Sequence, residues 1–348
     1  MKALASVVAA GAITPIGLGS IDTAFSHRAG AAGMREAPLV DPDGEPVTMC
    51  FVPVLDPGLV GVPRAVALGA RAIAEVIEKL GAQASSMRAR VVVAADEHLA
   101  RKGADGVVPA AALGAGLSAA ASRIWPGLTV EVVPRGAAAP GYFLPSLMAA
   151  LAAGSIDVAL VGGVHSDHDP ARIAALAEGG RLFRPDRLDS LIPGEAAAFV
   201  ALMRSGAPRR VGLVELAEIG PVATAEERAR PDNDEPAMAA QGLSAALRAA
   251  FAQAEVQAGW VMTDLTFEVF RHLELQAAMT RTQRHYCEPQ QVESPAQRMG
   301  YLGAAAMPLH FALAAEAYPR GFAPHGVGLS IGGSDGGERA VVVLGAPG

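Results

Sequence analysis

The feature that most constrains this chain is a succession of short, nearly continuous apolar runs separated by alanine-rich stretches, laid down twice. In the first pass, strands are predicted at 4–12, 89–95, 129–134, 157–163 and 196–203, with helices near 66–81, 110–123 and 141–153. After the break "RSGAPRR" at 204–210 come a strand at 211–219, a helix at 236–256 and a strand at 260–265. Helices near 268–282 and 299–316 follow, then closing strands at 326–331 and 339–344. Strands that are apolar throughout are buried on both faces, so the pattern predicts an α/β protein with mainly parallel sheets between helices. The polar stretch 223–237, "ATAEERARPDNDEPA", reads as a solvated surface loop.

Composition then removes function classes. A chain of 348 residues, 51% of them hydrophobic, buries a large core and is not disordered. A formal charge of −7 provides no basic footprint for nucleic acid or for an anionic membrane surface. Only Cys50 and Cys287 are present, in no zinc or disulfide spacing, which suits a reducing cytoplasm. The opening "ALASVVAAGAITPIGLG" has the look of a signal peptide, but Pro15, Gly17 and Gly19 favour a buried strand running into a loop. No segment offers about twenty uninterrupted apolar residues for a membrane span.

Within "VVPRGAAAPGYF" at 132–143, a strand runs through a small-residue turn into a helix. Such a turn stabilises an anion through backbone N–H groups and the helix dipole, and α/β enzymes mount nucleophiles there. This one carries only glycine and alanine.

Several segments resemble the β-ketoacyl-acyl carrier protein synthases of the thiolase superfamily. They are "VVAAGAITPIGLG" at 7–19, the stretch 154–206 that ends in "IPGEAAAFVALMRSG", "SPAQRMGYLGAAA" at 294–306 and "SIGGSDGGERAVVVLG" at 330–345. The resemblance spans the chain and is most specific in 154–206. It implies a thiolase-like five-layered α-β-α-β-α fold of two duplicated halves, 1–206 and 207–348, with the central helices at 141–153 and 299–316 between two mixed sheets. It also implies a dimer built partly on the strand at 129–134, as a homodimer or with a ketosynthase-like or adaptor partner.

Carried over residue by residue, the family's chemistry is missing. Its nucleophilic cysteine, a thiolate at a helix N-terminus, falls at Ala137. Its first histidine falls in "MTDLTFEVF", near Asp264, Thr266 and Glu268, and His272 stands too far along the following helix. Its lysine and second histidine fall at Ala296 and Tyr301, and its gating phenylalanine at Asp335. Ala137, Thr266, Ala296, Tyr301 and Asp335 are thus degenerate positions, with Asp264 and Glu268 as a residual pocket. Backbone N–H groups at Ala137 alone would stabilise a charge that nothing generates.

Other constellations have plainer readings. "HSDHD" places His165, Asp167, His168 and Asp169 in a spacing suited to a metal, against helix capping by Asp169 before Pro170. His285 and Cys287 read as packing residues; Glu268, Arg271 and His272 as an ion pair at helical spacing; and 332–337, "GGSDGG", as a hairpin turn. No cofactor or metal is expected. The leading expectation is a catalytically silent ketosynthase-like subunit or assembly adaptor, in a fatty-acid, polyketide or secretion system. The alternatives are an acyltransferase with relocated residues, using Cys50 or Cys287, and a module that binds an acyl group or coenzyme A.

Overall fold

A computed structural model describes residues 3–102 and 108–348. The first half of the chain runs β1 (Ala5–Ile13), α1 (Ser20–Arg28), the hairpin β2 (Met34–Val40) and β3 (Pro46–Cys50), α2 (Gly61–Leu80) and β4 (Ala89–Ala95). It continues through α3 (Pro109–Ser122), β5 (Val130–Pro134), α4 (Ala139–Ala152), β6 (Val158–Ser166), α5 (Pro170–Glu178) and β7 (Glu195–Arg204). The second runs β8 (Ala217–Glu226), α6 (Gln241–Ala254), β9 (Ala258–Met262), α7 (Val269–Arg281) and β10 (Tyr286–Glu293). It ends with α8 (Ala296–Met299), α9 (Ala306–Ala317), β11 (Val327–Gly333) and β12 (Glu338–Gly345).

Ten strands hydrogen-bond in the order β10-β9-β11-β12-β8-β1-β7-β6-β4-β5. From the centre outward, β1-β7-β6-β4-β5 and β8-β12-β11-β9-β10 follow one rule: first, fifth, fourth, second and third large strand of each arm. The strand senses match as well. The β4–β5, β4–β6, β9–β10 and β9–β11 pairs are parallel, whereas β1–β7, β6–β7, β8–β12 and β11–β12 are antiparallel. The sheets are therefore mixed and not mainly parallel, because in each arm the fifth strand turns back beside the fourth. The arms meet where Ala5–Val7 pair with Ala217–Ile219.

Burial patterns explain the layering. All twelve residues of α9 are buried, ten of them apolar, and a helix covered on every face lies inside the protein. It and α4 pack against strands of both arms. The amphipathic α2 turns Leu68, Ala72, Ile73, Val76 and Ile77 onto the first arm, with α3 beside it; α6 turns Leu243, Leu247 and Phe251 onto the second. The result is five layers: helices, arm, α4 with α9, arm, helices. A buried arginine–glutamate fork ties each fifth strand to its outer helices. Arg64 of α2 holds Glu195 at 2.7 and 2.8 Å, and Arg339 of β12 holds Glu274 of α7 at 2.6 and 3.0 Å.

Three sequence expectations are corrected. The strand expected at 211–219 runs instead from Ala217 to Glu226 as β8, taking the first four residues of the loop expected at 223–237 and leaving 227–236 as loop. β8 contains Gly220 and Pro221 where its register against β12 shifts, and proline is tolerated in a sheet at such a bulge. The helix expected at 299–316 is two, α8 and α9, divided by Gly300 and Gly303 at positive φ of 75° and 43°. β10 went unread because its exposed edge sequence "YCEPQQVE" lacks both an apolar run and alternation. The "GGSDGG" segment does close a hairpin, with Gly337 N–H donating to Ser334 O at 3.1 Å.

Candidate functional site

Two turns with the same sequence meet between the arms. Gly136–Ala138 leads from β5 into α4, and Gly303–Ala305 leads into α9; each reads Gly-Ala-Ala followed by alanine, and each glycine has positive φ, 65° and 43°. Ala137 is 1% exposed. The Ala138 N–H donates to Ser334 Oγ at 3.0 Å, and Ser334 Oγ donates to Arg135 O at 2.5 Å. A backbone donor at the head of α4 is thereby already used. On the second turn, the Ala304 N–H donates to Asp96 Oδ1 at 3.0 Å.

Asp96 begins a buried chain of charges. β4 and β6 are parallel neighbours, so the residue after β4 faces the end of β6, and Asp96 Oδ2 lies 2.7 Å from His165 Nδ1. His165 Nε2 lies 3.0 Å from Asp167 Oδ2, and Arg172 Nε donates to Asp167 Oδ1 at 2.9 Å. Burial opposes the imidazolium, but Asp96 and Asp167 outweigh it and raise His165 to about 10. Burial likewise opposes both carboxylates, and His165, aided at Asp167 by Arg172, holds them below the usual range.

The degenerate positions lie around this chain. The Tyr301 ring meets His165 edge-on at 5.0 Å and packs with Met49, Ile173, Leu182 and Leu191. Its hydroxyl is pushed up by burial and by Asp335, Glu97 and Asp96, against Arg181. Glu97 presses its carboxyl group on the first turn, within 2.4 Å of where a Cβ would stand on Gly136. Its Oε1 is buried without a partner, and burial, then Asp335 and Asp96, push the acid up to about 7. Arg181 bridges the far side: it forks onto Glu268 at 2.6 and 3.0 Å and donates to Asp335 Oδ2 at 2.6 Å. Thr266 Oγ1 donates to Glu268 Oε2 at 3.1 Å, and Asp264 Oδ2 accepts the Gly333 N–H at 2.9 Å. Ala296, 2% exposed, is packed in the central core.

Glu268 does not pair with Arg271 or His272 as its spacing suggested. It precedes α7 in an extended conformation, φ −70° and ψ 117°, which sends its side chain toward Arg181. Arg271 instead lies 3.7 Å from Asp335 and 3.9 Å from Asp264, and His272 Nε2 is 2.7 Å from Thr266 O. Asp169 caps α5, accepting the Ala171 N–H at 2.9 Å, and His168 reaches Pro57 O at 3.1 Å. Among the described residues no His, Cys, Asp and Glu cluster forms a metal site. His285 stacks on Phe251 with centroids 4.7 Å apart. Cys50 is fully buried and burial pushes its thiol up to about 12, the reverse of an activated nucleophile; Cys287 is half-buried.

Sequence reading missed Asp96, Glu97, Arg172 and Arg181. Their available signal was position: Asp96 and Glu97 directly follow the apolar run of β4, at the carboxyl end of a parallel strand, where α/β folds build sites. Chemically, the assembled site pairs its charges except at Glu97, and it presents no thiol or hydroxyl nucleophile on the turn at Ala137.

No protein-family model matches the chain, and no curated protein matches its sequence. Solved structures do. An ishigamide ketosynthase/chain length factor structure aligns at a TM-score of 0.76 and 18% identity over 99% of both chains. A type II polyketide ketosynthase, in complex with its acyl-carrier protein, aligns at 0.80 and 14% over 98% of both. The ketosynthase from module 6 of the Bacillus subtilis bacillaene synthase aligns at 0.77 and 14%, over 98% of this chain and 72% of that one. No helix among the described residues is long and apolar enough to cross a membrane. This chain has the thiolase-like fold of the ketosynthases.

Proposed function

We propose that this chain is a catalytically silent ketosynthase-like subunit or assembly adaptor of a polyketide or fatty-acid system, working in the cytoplasm. The observation that carries the reading is the turn at Gly136–Ala138: it bears no nucleophile, the Ala138 N–H is bonded to Ser334, and Asp335 and Glu268 beyond it are ion-paired to Arg181. Condensation needs a thiolate to take up the acyl chain and donors to stabilise a carbanion. With Ala137, Thr266, Ala296 and Tyr301 at the matching positions, neither is supplied. Asp335 at the gate is held by Arg181, an ion pair in place of a moving aromatic ring.

The halves 1–206 and 207–348 then serve assembly. The edge strand β5, paired among the described residues with no strand but β4, is the proposed contact with a second copy or with a ketosynthase-like partner. Two of the similar structures keep such company: one is a ketosynthase/chain length factor, the other a ketosynthase with its acyl-carrier protein.

The test is incubation with acyl and malonyl carrier proteins, read by intact mass and radiolabelled product. The native chain gains no acyl mass and releases no carbon dioxide, and Ala137→Cys gives at most slow acylation without condensation. Stoichiometric acylation of the native chain, abolished by Cys50→Ala or Cys287→Ala, overturns the reading.

A further inference from the structure

Away from the paired turns, a groove of about 490 Å³ opens between α1, the carboxyl end of β10 and the last turn of α9. That volume is in the range of small-molecule sites. Its apolar wall is made by Trp260, Leu313 and Phe322, with the Trp260 indole N–H fixed on Glu293 Oε2 at 3.0 Å. The same carboxylate oxygen lies 3.6 Å from His27 Nε2, while His27 Nδ1 is buried with no partner. Glu293 is the only carboxylate among the residues lining the groove, and it is already engaged.

Two guanidinium groups, on the exposed Arg28 and Arg298, line the same groove. Arg28 lies 4.9 Å over the Phe322 ring, which orients its charge toward an aromatic surface. A chain of net charge −7 has thus collected two arginines against one occupied acid around a pocket with an aromatic wall. Arginine forks match the geometry of phosphate and carboxylate groups.

We propose that this groove binds a small amphipathic anion, a phosphate or carboxylate on an aromatic or short aliphatic body. Arg28 and Arg298 take the anionic group, Trp260, Leu313 and Phe322 receive the body, and the His27 imidazole forms part of the wall beside them. None of these residues belongs to the site at Ala137, so the inference stands whether or not the chain is silent.

The test is calorimetric titration with 1-naphthyl phosphate, naphthalene-1-carboxylate, 1-naphthol and inorganic phosphate, with the His27 imidazole signals followed by NMR. One naphthyl anion binds more tightly than naphthol and inorganic phosphate and moves the His27 signals; whether it is the phosphate or the carboxylate identifies the head group. The double variant Arg28→Gln/Arg298→Gln lowers its affinity about tenfold or more, and Phe322→Ala weakens naphthyl anions and naphthol alike. Absence of binding by both anions, unmoved His27 signals on the native protein, or equal affinity in a folded double variant overturns the proposal.

Discussion

The two Gly-Ala-Ala turns share sequence, backbone shape and place in a duplicated fold, yet they are held by different physics. The turn at Gly136 is closed by a neutral hydroxyl, Ser334, relayed to Arg135 O. The turn at Gly303 is closed by a carboxylate, Asp96, which also carries one end of a fully buried imidazolium. The first sits beside an acid with an unpartnered oxygen, Glu97; the second beside acids whose charge is matched. Duplication supplied one scaffold twice, and the side chains arriving from the opposite arm made one turn a rigid anchor and left the other next to a titrating group.

The largest break in that comparison is at the anchor. Asp96→Ala strands His165 beside Asp167 alone and frees a buried Ala304 N–H, so urea unfolding registers a loss of about 3–5 kcal/mol. Ser334→Ala, which removes one neutral bond, costs about 1–2 kcal/mol. Equal losses would erase the distinction. His165 adds a pH signature: its folded pKa, about 10, is raised above the unfolded value, so its stabilisation is complete below the unfolded pKa and is lost as pH rises through about 10. His165→Gln removes that alkaline slope.

The glycines offer the next contrast. A Cβ at Gly303 meets Asp96 Oδ1 at 2.3 Å and His165 Nδ1 at 2.4 Å, both locked in the charge chain. The nearest atoms to a Cβ at Gly136 are those of the Glu97 carboxyl group, at the end of a side chain that can swing aside. Gly303→Ala therefore costs about 2–4 kcal/mol and Gly136→Ala about 1–2, the latter mostly backbone strain at positive φ. Thermal unfolding of both variants decides, and a costlier Gly136→Ala would show that Glu97 is as fixed as Asp96.

The smallest effect concerns Glu97. Its folded pKa, about 7, is raised above the usual carboxylate value, so ionisation costs the folded state more than the unfolded one and stability falls as pH rises toward 7. Glu97→Gln is expected to be neutral near pH 4 and to stabilise by about 1–2 kcal/mol at pH 8. A variant that destabilises at pH 8 would place the ionised carboxylate among the supports of the first turn.

Much of the fold was legible because burial on both faces writes itself into a strand as an unbroken apolar run. β1, β4, β6 and β7 were found on that signal, and the alanine-rich, mostly apolar α4 beside them. β8 and β10 were not, since Gly220-Pro221 interrupts one and the other is an exposed edge. At the site, the empty turn at Ala137 could be read from residue types alone. The charges around it could not: Arg181 reaches Glu268 and Asp335 across 87 and 154 residues of chain, and no local pattern encodes that meeting.

The seam between the arms bears on how the molecule opens. Ala5–Val7 and Ala217–Ile219 make only three residue pairings, whereas β1 and β7 pair along eight. A ladder that short contributes little cooperativity, so the ten-stranded sheet is continuous in drawing but not in mechanics. What couples the arms is the layer of α4 and α9, packed on both. Amide exchange should thus spread from a loosened α9 into both arms at once, whereas weakening the seam leaves each arm protected as before.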